Sequence, residues 1–300
     1  MRAIAVGNVA APTPGEYVRL VLSLFKLRIG FVIAFTALAG WAVTAGPALA
    51  AWQVAVLGLA VLVSSASAGA FNQYAERDVD AQMRRTRKRA FVTGALPHTS
   101  AWLWLIALLV AGSTAAAWWA TNAWAALYTF LGAFFYAVVY TVWLKRRTWW
   151  NIVIGGLAGS FAVLAGAAAV DPHIGAAPAV LAVVLFLWTP PHFWSLSIAF
   201  RKDYELARVP MLPLVVGDAR AAQVIFAHAV ALVTLSLVPA FLGLGWVYLL
   251  CAAGGGAWLM QTSWRLVRAP GPKTAMVAFH ASLLQLTLVL AGALLDGTIL

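Results

Sequence analysis

Residues 51–89 read AWQVAVLGLAVLVSSASAGAFNQYAERDVDAQMRRTRKR, and this stretch decides the class of the chain. No charge interrupts it before Glu76, so it is long enough to cross a hydrocarbon core of about 30 Å as one helix. It then ends abruptly on an amide, acids and a cluster of cations. On a helix turning about 100° per residue, Asn72, Glu76 and Asp80 share one slowly drifting stripe, with oxygens roughly 6 Å apart along the axis. Asp78 points elsewhere. Hard Mg²⁺ takes one or two carboxylates and fills its other positions with water and phosphate oxygens, so a sparse ladder of this kind suits a metal-bridged diphosphate. The competing reading is a solvated helix end whose acids pair with neighbouring arginines.

Composition extends that reading to the whole chain. It is 63% hydrophobic and only 10% charged, with mean hydropathy +0.89, which excludes a soluble globular domain. An all-α integral membrane protein is expected, a bundle of nine spans at about 28–46, 51–72, 100–119, 122–143, 151–170, 175–199, 220–243, 245–262 and 274–295. Turn chemistry at Gly46-Pro47, Asp171-Pro172, Gly243 to Gly245 and Pro270 to Pro272 separates them. Residues 1–19 form a cytoplasmic N-terminal segment in this scheme, and 20–300 the polytopic domain.

Every Lys and Arg falls in the N-terminal segment or first-span entry (Arg2, Arg19, Lys26, Arg28) or in a loop after an even-numbered span: 77–89, 145–147, 201–220 and 265–273. The positive-inside rule then sets the N-terminus in the cytoplasm and the C-terminus on the opposite side. The net charge of +11 is thus a topology signal and not a nucleic-acid footprint, although basic faces also suit anionic membrane lipids. No cleavable targeting segment is expected, because residues 1–19 lack an apolar core. Cys251 stands alone in an apolar run, which leaves no disulfide framework or thiolate cluster. Glu16, Asp171, Asp218 and Asp296 read as solvated loop or terminal acids.

A second acidic helix end, Arg201-Lys-Asp203-Tyr-Glu205, closes the sixth span on the same side as the first. Two such ends beside basic residues make a diphosphate cavity at one membrane surface. With Asn72-x-x-x-Glu76-Arg-Asp-x-Asp80, Tyr140-Thr-x-Trp-Leu-Lys-Arg-Arg-Thr148, Asn151-Ile-Val-Ile-Gly-Gly156, Trp188-Thr-Pro-Pro-His-Phe-Trp-Ser195 and Val209-Pro-Met-Leu-Pro213, the chain resembles the haem O synthase branch of the intramembrane UbiA-type prenyltransferases, the protoheme IX farnesyltransferases. The likeness runs from about Leu20 to Gly217.

What the resemblance implies is specific. Farnesyl diphosphate alkylates a vinyl group of haem B, water supplies a hydroxyl, and pyrophosphate leaves. The family bundle has nine helices, and the setting implied is a bacterial inner membrane with the site on the cytoplasmic side. Asn72, Glu76 and Asp80 correspond to ligands of Mg²⁺ and, through it, of diphosphate, while Lys202, Asp203 and Tyr204 correspond to the second motif, with Asp203 as a further catalytic and metal-ligating carboxylate. Other haem-biosynthesis or oxidase-assembly proteins are conceivable partners. Two positions depart from the pattern: Ala207 stands where a second acid is common, and Leu27 where proline is common.

An allylic diphosphate ionises when metal and fixed cations stabilise its leaving charge and an apolar pocket shelters the carbocation. Lys26, Arg28, Lys145, Arg146, Arg147 and Lys202 are the cations on the expected face, with Lys145 and Lys202 foremost because they border recognised motifs. Topology alone also explains each of them. An intramembrane histidine is a functional candidate, so His192 is expected to hold haem or position the acceptor, with repair of a proline-broken helix as the alternative. His228 and His280 read as buried imidazoles that could instead ligate haem iron. Asn151 either caps its helix or donates to diphosphate. Gly155, Gly156 and Gly159 suit close helix packing, and the tryptophans are interfacial anchors and filler. Rival functions are prenylation of a quinone precursor or chlorophyll-type alcohol and, more distantly, transport. Transporters concentrate polar groups at the bilayer midplane between inverted repeats, and this chain gathers charge at one surface.

Overall fold

The computed structural model describes residues 13–299, and all of its regular elements are helical. Most of the N-terminal segment, residues 1–12 with Arg2, lies outside the described residues. The order is α1 (Pro14–Leu24), α2 (Leu27–Ala42), α3 (Ala51–Ala75), α4 (Arg77–Gln82), α5 (Ala90–Thr93), α6 (Ala101–Ala120), α7 (Ala123–Phe134), α8 (Asn151–Gly155), α9 (Leu157–Val170), α10 (Ala176–Ala199), α11 (Arg201–Leu206), α12 (Leu212–Val216), α13 (Asp218–Leu237), α14 (Trp246–Arg268) and α15 (Pro272–Ile299). The α7 helix continues as a wider π-helical turn over Phe135–Leu144.

Seven helices among the described residues are long and apolar enough to cross a membrane, and the pair α1–α2, bent by 44°, makes an eighth candidate. The span expected at 245–262 falls on α14, which misses that measure because Gly254 to Gly256 and Gln261-Thr-Ser263 dilute its apolarity. The first span also differs from the sequence reading: a separate helix, α1, precedes it across position 19. The Thr13 hydroxyl accepts from the Glu16 amide and the Glu16 carboxylate accepts from the Thr13 amide, a capping box that starts α1. Between α1 and α2, Lys26 adopts φ 47°, ψ 45°, the left-handed region that non-glycine residues avoid at a cost on the order of 1 kcal/mol.

Two halves meet along α2, α9 and α10. One packs α3 and α7 against α2 and α9, with α6 on α3 and α7; the other packs α13 and α15 against α10, with α14 on α13 and α15. Glycines allow the central contact. A methyl group at Gly40 would overlap the Val163 carbonyl, and one at Gly166 would overlap the Ala37 carbonyl, so the α2 and α9 backbones touch directly. Large apolar side chains such as Trp104, Trp119 and Phe241 are exposed around the periphery, as expected of a surface solvated by lipid tails.

The proline pair corrects another expectation. Pro190 and Pro191 lie inside α10, yet the helix runs unbroken from Ala176 to Ala199. Each proline removes a donor without forcing a break, because packing on several sides holds the turn.

Candidate functional site

The sequence stripe of Asn72, Glu76 and Asp80 assumes one regular helix, but α3 stops at Glu76 (φ −105°, ψ 17°) and α4 begins at Arg77. The break preserves the register, since the Asp80 amide still donates to the Glu76 carbonyl at 2.8 Å. All three side chains are buried and line a cavity of about 530 Å³. Lys26 Nζ donates to Asn72 Oδ1 at 2.8 Å, while Asn72 Nδ2 donates to Glu76 Oε2 at 2.8 Å and to Thr141 Oγ1 at 3.1 Å. Lys145 Nζ donates to the same Glu76 oxygen at 2.6 Å, and Arg89 pairs with Asp80 at 2.5 Å. One oxygen stands out: Glu76 Oε1 is buried without a partner. A buried carboxylate oxygen left unsatisfied is costly, so this one is disposed to accept a cation.

The π-helical turn supplies two residues that were not among the expected site residues, Tyr140 having entered only as part of a motif. It brings Tyr136 and Tyr140 into a stack, with centroids 5.7 Å apart and planes at 11°, on the cavity wall. Lys26 Nζ lies 5.9 Å from the Tyr136 ring and Lys145 Nζ 5.5 Å from that of Tyr140. Gly155 makes room for this, because a methyl group there would meet the Tyr140 ring at 2.8 Å. Gly156 is similarly close to Thr189, whereas Gly159 faces open space and serves no close approach. Arg85, Lys88 and Arg89 complete the basic lining. Their position in the run after Asp80 was a usable signal; the tyrosine stack had only the Tyr140-Thr motif.

Other expected residues divide sharply. Tyr204 lines the cavity, and Asp203 is buried beside it, accepting from the Arg85 amide at 3.4 Å and so joining the second motif to the basic loop. Lys202 is exposed and is not among the cavity-lining residues, because a helix places it about 100° from Asp203. Arg146 also turns out of the cavity to make a two-pronged pair with exposed Asp78, at 2.6 and 2.8 Å. Its guanidinium holds the Asp78 carboxyl below the usual carboxylate range, and Asp78 in turn raises the Arg146 pKa. Buried Asn151 does not cap α8; its amide donates to the Thr148 carbonyl at 2.6 Å and also reaches those of Lys145 and Pro210. It therefore braces the loop that carries Lys145. Asp296, expected to be solvated, is buried and accepts from the Tyr248 amide at 2.7 Å.

A second cavity, of about 430 Å³ and mostly apolar, adjoins the first and shares Lys26, Ile29, Tyr136, Gly155, Thr189 and Phe193 with it. Arg28, itself exposed, stands at its edge. His192 lines its far wall. The imidazole is buried between the rings of Trp188 (4.2 Å) and Phe279 (4.4 Å), and Nδ1 lies 2.8 Å from Ser282 Oγ. Thus a cavity lined by charged side chains adjoins an apolar one across six shared residues.

Residues 33–288 match the model of the UbiA prenyltransferase family. The chain belongs to the UbiA prenyltransferase family. It is 53% identical over 279 residues to protoheme IX farnesyltransferase 2 of Paramagnetospirillum magneticum, covering 93% of this chain and 96% of that one. It is 40% identical to protoheme IX farnesyltransferase of Alkalilimnicola ehrlichii, with 96% of each chain covered. Among solved structures, a UbiA homologue from Archaeoglobus fulgidus bound to DMAPP and Mg²⁺ superposes with a TM-score of 0.67 at 19% identity, covering 95% of this chain and 99% of that one. The UbiA fold is therefore shared well beyond recognisable sequence. Within that family this chain has Ala207, buried, where a second acid would follow Asp203, and Glu205 is exposed and paired with Arg201 at 2.7 Å.

Proposed function

We propose that this UbiA-family membrane protein transfers the farnesyl group of farnesyl diphosphate to a vinyl group of haem B, giving haem O and pyrophosphate. The carrying observation is the pair of joined chambers, with the unpartnered Glu76 Oε1 in the charged one. The farnesyltransferase names of relatives at 40 to 53% identity support the choice of substrates.

The donor set at the charged end is all hard oxygen: the Asn72 amide and the Glu76 and Asp80 carboxylates; Asp203, buried on the Arg85 amide, is not among the cavity-lining residues. Among the described residues no group of three His, Cys, Asp or Glu side chains converges into a closed metal site. A sparse set of this kind fits Mg²⁺, which retains water and phosphate oxygens as ligands. When bound, the ion neutralises diphosphate charge. Lys145, Lys26, Arg85, Lys88 and Arg89 add fixed positive charge to hold the pyrophosphate as the C–O bond breaks. Tyr136 at the junction of the chambers, with Tyr140 stacked on it in the charged one, offers ring surface where the allylic cation forms, and the apolar walls keep water from capturing it early. A vinyl carbon of haem B then bonds to the farnesyl C1, water adds at the neighbouring carbon, and one proton is released.

The same proposal carries the finer topology: nine spans including α14, N-terminus in the cytoplasm, C-terminus opposite, and the charged chamber facing the cytoplasm of a bacterial inner membrane. Residues 20–300 act as one prenyltransferase domain, and any haem-biosynthesis or oxidase-assembly partner docks outside it. The basic loops at 77–89, 145–147 and 201–220 support this orientation. Purified protein incubated with haem B, farnesyl diphosphate and Mg²⁺ should yield the hydroxyethylfarnesyl adduct by mass spectrometry. Absence of the adduct, with prenylation of a quinone precursor under the same conditions, would assign the scaffold to the rival acceptor class.

A further inference from the structure

Addition of water to the prenylated vinyl group releases a proton inside the apolar cavity, and one group among its described lining residues can take it. No carboxylate lines that cavity. Arg28 at its edge stays protonated, and Lys26 Nζ is turned into the charged chamber, on Asn72 Oδ1 at 2.8 Å. The hydroxyls of Thr36, Ser64, Thr129 and Thr189 donate to backbone carbonyls at 2.8 to 3.2 Å, and a hydroxyl is too weak a base to hold a proton. That leaves His192, whose Nε2 has no hydrogen-bond partner among the described residues. Thr189 and Phe193, within a turn of it on α10, line both cavities, so the imidazole stands close to their junction.

Ser282 fixes which nitrogen carries the lone pair. Its Oγ lies 2.7 Å from the Phe279 carbonyl oxygen, so the hydroxyl proton sits between them; turned elsewhere, it would leave lone pairs facing each other at that distance. Oγ can then only accept from His192 Nδ1–H, 2.8 Å away, and in the neutral imidazole this assigned tautomer leaves the lone pair on Nε2. Trp188 Nε1 donates to the Ser282 carbonyl at 2.7 Å, and the imidazole is stacked between Trp188 at 4.2 Å and Phe279 at 4.4 Å, so both of its faces are held. We propose that His192 Nε2 is the general base that takes the proton of the adding water, and that Ser282 is the positioning residue that keeps it in the competent tautomer. The inference rests on the haem-prenylation reading and adds to it the proton acceptor. The bond from farnesyl C1 to the terminal vinyl carbon leaves a cation on the carbon next to the porphyrin. The water oxygen bonds to that carbon, one O–H bond breaks, and the proton passes to Nε2 before leaving to solvent; nothing is oxidised or reduced. Positive charge moves from carbon to imidazole, so no new charge is created in the apolar chamber, and the imidazolium lies between two aromatic faces of the kind that attract a cation.

The test reads which product forms. Without a base for water, the cation instead loses a proton from the former terminal vinyl carbon to pyrophosphate, giving an alkene lighter than the hydroxylated adduct by one water. Full-length protein in nanodiscs is incubated with haem B, farnesyl diphosphate and Mg²⁺, and the ratio of hydroxylated adduct to alkene is measured by mass spectrometry. His192→Phe, which keeps a ring between Trp188 and Phe279, should lower that ratio at least about a hundredfold, within the range for general base catalysis. Ser282→Ala should lower it by less, about tenfold, because the imidazole remains but its tautomer and orientation are no longer fixed. The ratio is taken on product formed, so neither a loss of folded protein nor weaker haem binding moves it. An unchanged ratio in His192→Phe would overturn the base, and an unchanged ratio in Ser282→Ala alone would overturn the positioning role. If His192→Phe forms neither product, an unchanged ratio in Ser282→Ala overturns both. Failure of the wild-type protein to form either adduct would overturn the haem-prenylation reading itself, a separate and distinguishable result.

Discussion

Glu76→Gln offers the sharpest test of the charged chamber. The substitution keeps size and shape while removing one charge from a side chain only 2% exposed. Its Oε2 now accepts from both Lys145, at 2.6 Å, and Asn72, at 2.8 Å. In the variant, an amide oxygen at that position can still accept from both, so the geometry survives, but Lys145 loses its counter-charge. Two effects then compete. Loss of the charged partner costs stability of about 1–3 kcal/mol, the range for weakening a buried hydrogen-bonded group, moderated because the Lys145 side chain is 13% exposed. Loss of a carboxylate that would hold the Mg²⁺ neutralising the leaving diphosphate costs about 10²–10³ in kcat, some 3–4 kcal/mol of barrier. The catalytic effect should dominate at temperatures where the protein is folded. Turnover should therefore fall at least about a hundredfold with a modest drop in Tm, and raising Mg²⁺ should recover part of it. Adding Lys145→Met to Glu76→Gln should restore Tm without restoring turnover, since it removes the stranded ammonium but not the missing carboxylate. Near-normal turnover in Glu76→Gln, measured as adduct formed per folded protein, would refute the role assigned to this carboxylate.

Asp80→Asn should behave like Glu76→Gln in turnover, and it should weaken Mg²⁺-dependent binding of a farnesyl diphosphate analogue, measured by calorimetry, while sparing haem affinity. His192→Ala should do the reverse; loss of the analogue with haem retained would move the histidine to the donor site. Lys202→Ala should change turnover by less than about threefold whereas Lys145→Ala should cost at least tenfold, because only Lys145 faces the chamber. Asp78→Asn should be mild in turnover. Its folded carboxyl titrates below the ordinary 3.8, so any stabilisation from Arg146 is present above that value and fades as pH falls through the lower, folded one; the unfolding profiles of variant and wild type should differ in shape only below about pH 4. Gly166→Ala should destabilise the protein by more than 1–3 kcal/mol, the usual overpacking penalty, because the new methyl group collides with rigid backbone at Ala37; a wild-type melting curve would contradict the α2–α9 contact.

Composition and short-range spacing were sufficient to establish the membrane class, the positions of the long helices and the shared face of Asn72, Glu76 and Asp80. These depend on chemistry that is local to the chain: a run of apolar residues must leave water whatever its neighbours, and residues four apart stay on one side even across the small break at Glu76. The divergence of Asp78 follows from the same geometry. What spacing alone could not decide was which cations enter the chamber. Lys145 and Lys202 are equivalent in sequence, each beside a motif at a helix end, yet one is drawn inward to Glu76 while the other is exposed. That choice depends on how α10, α11 and the π-helical turn are rotated against α3, a property of packing between segments tens of residues apart. The same holds for His192, oriented by Ser282 ninety positions later, for the tyrosine stack created by the π-helical turn, and for Lys26, whose left-handed backbone lets it reach Asn72. Local periodicity specifies which face a side chain occupies on its own helix; only tertiary packing determines what that face meets.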